Sequence, residues 1–392
     1  MQQLNNEEFL GSLYTKEDAC DATCEKQILR LFLIYCYFFT EDNYWKPYIK
    51  ILPDIEFFEQ YHILFNKSYV EGTSLEGAVH AKRAILEHEL NDIQERDVSS
   101  SWLTKVELKM YLWADCILWS RALGFNTVND VEVKLNIALV PFIDFANHSM
   151  SHSNIRWQLD ATHDHLLLIS TAPIIHVGDE LLLSYGTDKS NQELLFIHGF
   201  CIEGNTERSC LTIPILPFLS HDQQKVAWLK QMNIKPVLKL KHRHRRREND
   251  DMMQTGWDPT LILLMYLVAL DEDFGLQFVS KKDGLELFLE DNLIKTLDEL
   301  ENTVVNHKDG IILPIIQLRV VLLLIDALEY QHKRITLITC NDSSILAQQA
   351  SIYRREEKEL IETSLEDLFS LQNHLMKDPI ILAYLEESNK CY

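Results

Sequence analysis

The chain has 392 residues, 46% of them hydrophobic and 24% charged, with a formal net charge of −22. These proportions belong to an ordinary folded protein with room for about two or three domains, and they exclude long disordered stretches. So acidic a chain lacks the Lys and Arg surplus that direct nucleic-acid binding needs; it suits a basic protein partner, although much of the excess can be solvated helix surface.

The opening MQQLNNEEFL has neither the basic region nor the apolar core of a signal peptide. The eight cysteines, at 20, 24, 36, 116, 201, 210, 340 and 391, are therefore expected to be reduced thiols in a cytoplasmic or nuclear protein. Cys20 and Cys24 lie four apart, but no second pair follows at metal-ligand spacing, so no metal is expected. The longest apolar runs, such as Ile28 to Phe39, are too short or too interrupted to span a bilayer.

A well-buried helix is predicted from about Thr23 to Thr40, because its apolar residues cover most of the circumference. YWKPYIKILP follows, Tyr44 to Pro53, read as one helical turn and a bend, with Trp45 and Tyr48 as core residues. A polar-faced helix is predicted over Gly77 to Val98 and a second helix over Thr104 to Leu123, with Gly124 as its stop. Arg121, in the last turn, either satisfies the helix dipole or binds a carboxylate.

The run NIALVPFIDF reads as a strand buried on both faces or a strand entering a tight connection, closing in a polar tip with Asp144, Asn147, His148 and Ser149. IRWQLD and HLLLIST, separated by Ala161 to Asp164, read as a hairpin. Val177, Gly178 and Asp179 mark a turn into a short strand, Leu181 to Ser184, which ends in Ser184, Tyr185 and Gly186. Short strands with tight turns and no glycine-rich phosphate loop point to small β-sheets. Residues 221–392 read as helical by period, with segments at Pro259 to Leu270, Leu285 to Asn302, Ile311 to His332 and Ile345 to Leu375. The basic run Lys241 to Arg247 is followed at once by acids and reads as an exposed loop, with a localisation signal or interaction patch as the alternative.

Taken singly, a histidine at a strand end or a buried tyrosine is as well explained by core structure. Three features coincide, however: D-x-x-N-H-S from Asp144, S-Y-G from Ser184, and N-x-E-L-L-x-x-x-G-F from Asn191 to Phe200. Together they resemble the C-terminal half of a SET domain, of the Rubisco large-subunit lysine methyltransferase type. The resemblance implies an α+β fold: small β-sheets of a partial SET domain over residues 1–204, a helical insert at about 54–125, and an all-α substrate-binding domain over 205–392. It implies transfer of a methyl group from S-adenosylmethionine to a protein lysine. Asn147, His148, Arg121 and Asp144 would hold the cofactor, Arg121 through its carboxylate. Tyr185 would contact the cofactor and be the catalytic residue at the methyl junction. His198, Trp157 and Phe200 would line the substrate site, with Trp157 stacking on adenine or lining the channel, or simply packing in the core. Two departures stand out. No K-G-x-G cofactor loop precedes Ile28, so the N-terminal half of the domain is read as missing, and His198 stands where the family has a tyrosine. The alternative is therefore a catalytically degenerate SET relative that acts as a protein-binding module.

Overall fold

Helix α1 (Ala22–Ile34) continues into a π-helical turn, Tyr35–Phe39, and together they carry the apolar run from Leu31 to Phe39. Leu31, Leu33 and Ile34 have no exposed surface, so more than one face of the helix is covered. The computed structural model describes residues 22–41, 43–96, 101–129, 132–160, 165–207, 209–241, 256–282, 284–307, 312–338 and 342–388. The chain divides into two compact units, 1–69 with 75–207 and 342–350, and 70–74 with 208–341 and 351–392.

In the first unit, Pro47 sits in the first turn of the short helix α2 (Lys46–Ile49), where its missing N–H costs nothing. Asp54 caps helix α3 (Ile55–Tyr61) by accepting from the Phe57 N–H. Helices α4 (Leu75–Arg96) and α5 (Leu108–Arg121) follow close to their predicted places. Eight consecutive residues of α5, Tyr111 to Leu118, are buried, and one of them is Asp115. A carboxylate there is tolerable only if paired. Arg30 Nε on α1 and Lys82 Nζ on α4 reach it at 2.9 and 3.0 Å, and Arg30 also holds Glu89 at 2.6 Å. Two cations and two carboxylates thus pin α1, α4 and α5 together.

The predicted stop at Gly124 is corrected. The helix ends at Arg121, with Ala122 already extended, and Gly124 is the second residue of strand β1 (Leu123–Asn129), which pairs antiparallel with β2 (Glu132–Ala138). The strand expected over NIALVPFIDF stops at Ala138. Pro141 offers no N–H to a ladder, Phe142 has a left-handed φ of 83°, and a 3-10 turn covers Ile143–Phe145. The run is accordingly half-buried around Leu139 to Pro141, with Phe142 exposed: it is not buried on both faces, and the alternative of a strand entering a tight connection holds.

Strand β3 (Asn147–His148) pairs in parallel with β6 (Leu182–Leu183), and β4 (Ile155–Asp160) pairs antiparallel with β5 (His165–Ser170), as the hairpin pattern predicts; the loop from Ala161 to Asp164 lies outside the described residues. The turn at Gly178 is present, with φ +96° and the Asp179 N–H on the His176 carbonyl. Helix α6 (Asn191–His198) is capped by Ser190 and stopped by Gly199 in the left-handed region.

The second unit is helix-rich but not all-α, which corrects the expectation. Strands β7 (Cys210–Pro214) and β8 (Val237–Lys241) form a ribbon around helix α7 (Gln223–Gln231). Beyond α8 (Leu264–Ala269), strands β9 (Leu276–Lys281), β10 (Gly284–Leu289) and β11 (Asn292–Ile294) make a meander before α9 (Leu297–Asn306). The helix read over Leu285 to Asn302 is therefore two strands and a helix: Leu285, Leu287 and Leu289 fit a two-residue period as well as a helical one. Helix α10 (Leu313–Leu337), α11 (Ile345–Leu375) and α12 (Pro379–Ser388) complete the chain. The basic run lies outside the described residues beyond Lys241. On α11, buried Glu357 accepts from the Ser74 N–H and Oγ, the Tyr353 hydroxyl and Gln331 Nε2, while Glu356 accepts from the Ser209 N–H and Oγ. The acidic pair in YRREEKEL thus holds segment 70–74 and Ser209 to the helix. Among the described residues no helix is long and apolar enough to cross a membrane.

Candidate active site

The parallel pairing of β3 with β6 places Asn147 opposite Leu182 and His148 opposite Leu183. Two polar tips 37 residues apart in sequence therefore meet: the Tyr185 N–H donates to His148 Nδ1 at 3.0 Å. Behind them, Ile143, Ile155 and Leu183 form a small apolar core on which Trp157 and Tyr185 pack. In front lies a cavity of about 430 Å³.

Of the expected site residues, Arg121, Asp144, Trp157, Tyr185 and His198 line this cavity. Arg121 arrives from the last turn of α5, where its Nη1 donates to the Asp144 carbonyl at 3.1 Å and to Asp144 Oδ2 at 3.4 Å. Its Nε and Nη2 have no hydrogen-bond partner among the described residues. The Asp144 side chain has no exposed surface, and burial pushes its carboxyl pKa up, against the lowering effects of Tyr48 and Arg121. Its Oδ1 is buried without a donor among the described residues. A guanidinium edge with N–H groups to spare, beside a carboxylate oxygen that lacks a donor, is the complement of an α-amino-acid zwitterion: carboxylate to the first, ammonium to the second.

Tyr185 donates its hydroxyl proton to the Ala146 carbonyl at 2.9 Å, and burial raises its pKa, so it stays a phenol. The His198 ring lies 4.8 Å from the Tyr185 ring. Its pKa is held down to about 4 by burial first, then by His148, Lys189 and His62, with the Ser120 carbonyl opposing. His148 is likewise lowered by burial, with the Leu183 carbonyl opposing; the hydrogen bond that its Nδ1 accepts assigns the proton to Nε2, which has no hydrogen-bond partner among the described residues. The His198 imidazole and the Tyr185 phenol therefore line the polar end of the cavity, with the His148 ring packed behind Tyr185. Such an arrangement suits reactions governed by positioning better than by proton transfer at neutral pH.

Three expected residues are not on the cavity wall. The Asn147 side chain is exposed and donates to Glu180 Oε1 at 2.6 Å. His148 and Phe200 stand behind the wall, with the His148 ring 5.0 Å from Tyr185 and the Phe200 ring 5.9 Å from His198. Conversely, the sequence reading missed Trp119, Ser120, Lys189 and Glu193 as wall residues. Lys189 and Glu193 are ion-paired across one helical turn. That i, i+4 pair immediately after S-Y-G was the available signal. The Lys189 stem crosses Gly186, whose φ of +145° favours glycine; an added Cβ would also meet Lys189 Cε at 2.9 Å, which the flexible lysine end can relieve. Tyr48, read as core, has its hydroxyl on Asp144 Oδ2 at 2.7 Å, and nothing local announces a contact across 96 residues.

No family model matches the chain. It is 29% identical over 240 residues to SET domain-containing protein 8 of Schizosaccharomyces pombe, covering 60% of this chain and 53% of that protein. It is 26% identical over 187 residues to the same yeast's ribosomal lysine N-methyltransferase set10, covering 47% of this chain and 33% of the relative. The Rubisco large-subunit N-methyltransferase of Nicotiana tabacum is 26% identical over 185 residues, 45% of this chain and 36% of that one. The chain thus spans about half or less of the length of these relatives. Among solved structures, Rubisco LSMT bound to AdoMet superposes with a TM-score of 0.59 at 19% identity, covering 89% of this chain and 76% of that one. The SET domain of LSMT bound to methyllysine and AdoHcy gives 0.62 at 19% identity, over 91% and 79%. The chain has the fold of these structures and is a homologue of the SET-domain methyltransferases of the Rubisco large-subunit type.

Proposed function

We propose that this chain transfers a methyl group from S-adenosylmethionine to the side-chain amine of a lysine in a protein substrate. The observation that carries the reading is the cavity wall itself: guanidinium N–H groups of Arg121 and the Asp144 Oδ1, both without a partner among the described residues, next to the Tyr185 hydroxyl. These groups fit the amino-acid end of S-adenosylmethionine, with Arg121 on the carboxylate and Asp144 on the ammonium. Bound there, the cofactor supplies an electrophilic methyl group on a sulfonium centre. Trp157, on the same wall, offers an aromatic face to adenine or to the aliphatic stem of a lysine.

The chain's own residues then set the reaction conditions. The Tyr185 hydroxyl spends its proton on Ala146, so its oxygen lone pairs remain to face N–H and polarised C–H groups. Neutral His198 places an uncharged imidazole beside it. Arg121 and Lys189 are ion-paired with Asp144 and Glu193 on the same wall and add no net charge there, so an entering lysine would give up its proton to solvent more readily, and react as the amine, because of the cofactor's sulfonium charge beside it. The net charge of −22 supports a basic substrate, and we place the reaction in the cytoplasm or nucleus with no direct nucleic-acid contact.

Calorimetric titration with S-adenosylhomocysteine tests cofactor recognition, and transfer of labelled methyl to lysine-containing proteins tests the reaction. Tyr185→Phe is expected to cut transfer by about 100-fold or more while leaving the binding of S-adenosylhomocysteine within about twofold. Undiminished transfer would remove Tyr185 from the chemistry. Absence of binding by the wild-type chain would leave the catalytically degenerate, protein-binding reading in its place.

A further inference from the structure

Tyr48 lies on α2, in a segment whose sequence shows only aromatic and aliphatic anchors. It is buried, and its ring stacks on Phe145 at 6.4 Å with the planes 18° apart. Packing of that kind would be met by phenylalanine. The hydroxyl, however, donates to Asp144 Oδ2 at 2.7 Å, the same oxygen that Arg121 Nη1 approaches at 3.4 Å. Both protein donors therefore converge on one carboxylate oxygen. The other, Oδ1, is buried with no hydrogen-bond donor among the described residues.

This asymmetry has a cost that a purely structural arrangement would avoid. A bidentate arginine–carboxylate pair would satisfy both oxygens and is the stronger geometry. Here the Tyr48 hydroxyl occupies Oδ2 and Arg121 turns its Nη1 mainly to the Asp144 carbonyl, at 3.1 Å. The carboxylate is held with one oxygen in reserve, and a spare guanidinium edge lies beside it.

We propose that Tyr48 is a positioning residue for the amino-acid end of the methyl donor: its hydroxyl fixes the Asp144 carboxylate so that Oδ1 is kept for the ligand's ammonium and Arg121 is kept for its carboxylate. The inference rests on the reading of the cavity as a site for S-adenosylmethionine. It assigns Tyr48 no contact with the reacting atoms. Without the hydroxyl, two changes follow. Arg121 is free to close on both carboxylate oxygens and cover the ammonium's seat. The buried carboxyl also loses a donor that favours its charged form. Both weaken a zwitterionic ligand and spare a nucleoside that lacks the amino-acid end.

The test compares S-adenosylhomocysteine with 5′-methylthioadenosine, which carries the nucleoside without the amino acid, by calorimetry on the full chain. Tyr48→Phe keeps the ring and its stacking on Phe145. It is expected to weaken S-adenosylhomocysteine by about tenfold or more while leaving methylthioadenosine within about twofold. Asp144→Asn should produce the same ligand-selective loss. Adding Tyr48→Phe to Asp144→Asn should then cost little more, because both act through the one Asp144 side chain. Equal weakening of both ligands by Tyr48→Phe, or equal binding of both to variant and wild type, would overturn the proposal and return Tyr48 to packing. A wild-type chain that binds neither ligand would overturn the methyl-donor reading and this inference with it.

Discussion

At the residue scale, the site is made by what its polar groups are denied. Asp144 Oδ1 lacks a donor among the described residues, burial lowers the pKa of the His148 and His198 rings, and Tyr185 is kept protonated by burial. The histidines give this a measurable consequence. His198 and His62 are both held down to about 4, by burial above all, against about 6.5 in the unfolded chain. Between those values the unfolded chain binds more protons than the folded one, so stability rises with pH through this window and is lost as pH falls from about 6.5 towards 4. At about pH 5 the loss is about 2 kcal/mol for each ring. The thermal midpoint should drop between pH 7 and 5, and His198→Gln should flatten part of that drop. A midpoint that stays level for the wild type would mean that these rings protonate without cost. The Tyr185→Phe and Tyr48→Phe outcomes belong at this scale too: the first separates transfer from binding, the second separates the two ends of one ligand.

At the element scale, α5 matters most, because one helix delivers Arg121 to the cavity and Asp115 to the interior. Its orientation is fixed by the charged cluster that joins it to α1 and α4. Removing one member of such a cluster leaves buried charges without compensation. Asp115→Ala is expected to cost about 3–5 kcal/mol in unfolding free energy, measured by denaturant titration. A cost below about 1 kcal/mol would show that Arg30 and Lys82 find other partners or water. The strands show the limits of periodicity. The β4–β5 hairpin was legible because its alternation is bounded by a short polar link. Strand β1 was not, because nothing in LGFNTVN separates it from the helix end before it. The meander of β9 to β11 was read partly as helix, since leucines two apart satisfy either period until neighbouring chain is present to choose.

At the scale of the whole molecule, a net charge of −22 sets what the protein meets first. A basic protein substrate is expected to associate more slowly as salt rises from about 50 to 300 mM, since screening shortens the reach of the field. A stopped-flow association rate independent of salt would detach charge from recognition. The sequence by itself determined the family resemblance and most of the long helices. D-x-x-N-H-S, S-Y-G and the α6 pattern are contiguous signals, and amphipathic period is a local property. It also supplied Arg121, Asp144, Trp157, Tyr185 and His198, which the cavity gathers. Only the tertiary structure decided that Asn147 turns outward to Glu180, that His148 and Phe200 stand behind the wall, and that Tyr48 reaches Asp144. These are contacts between residues up to 96 positions apart or choices of strand face. Such contacts are set by which oxygen or ring lies opposite once the chain has closed on itself, and no local pattern encodes them.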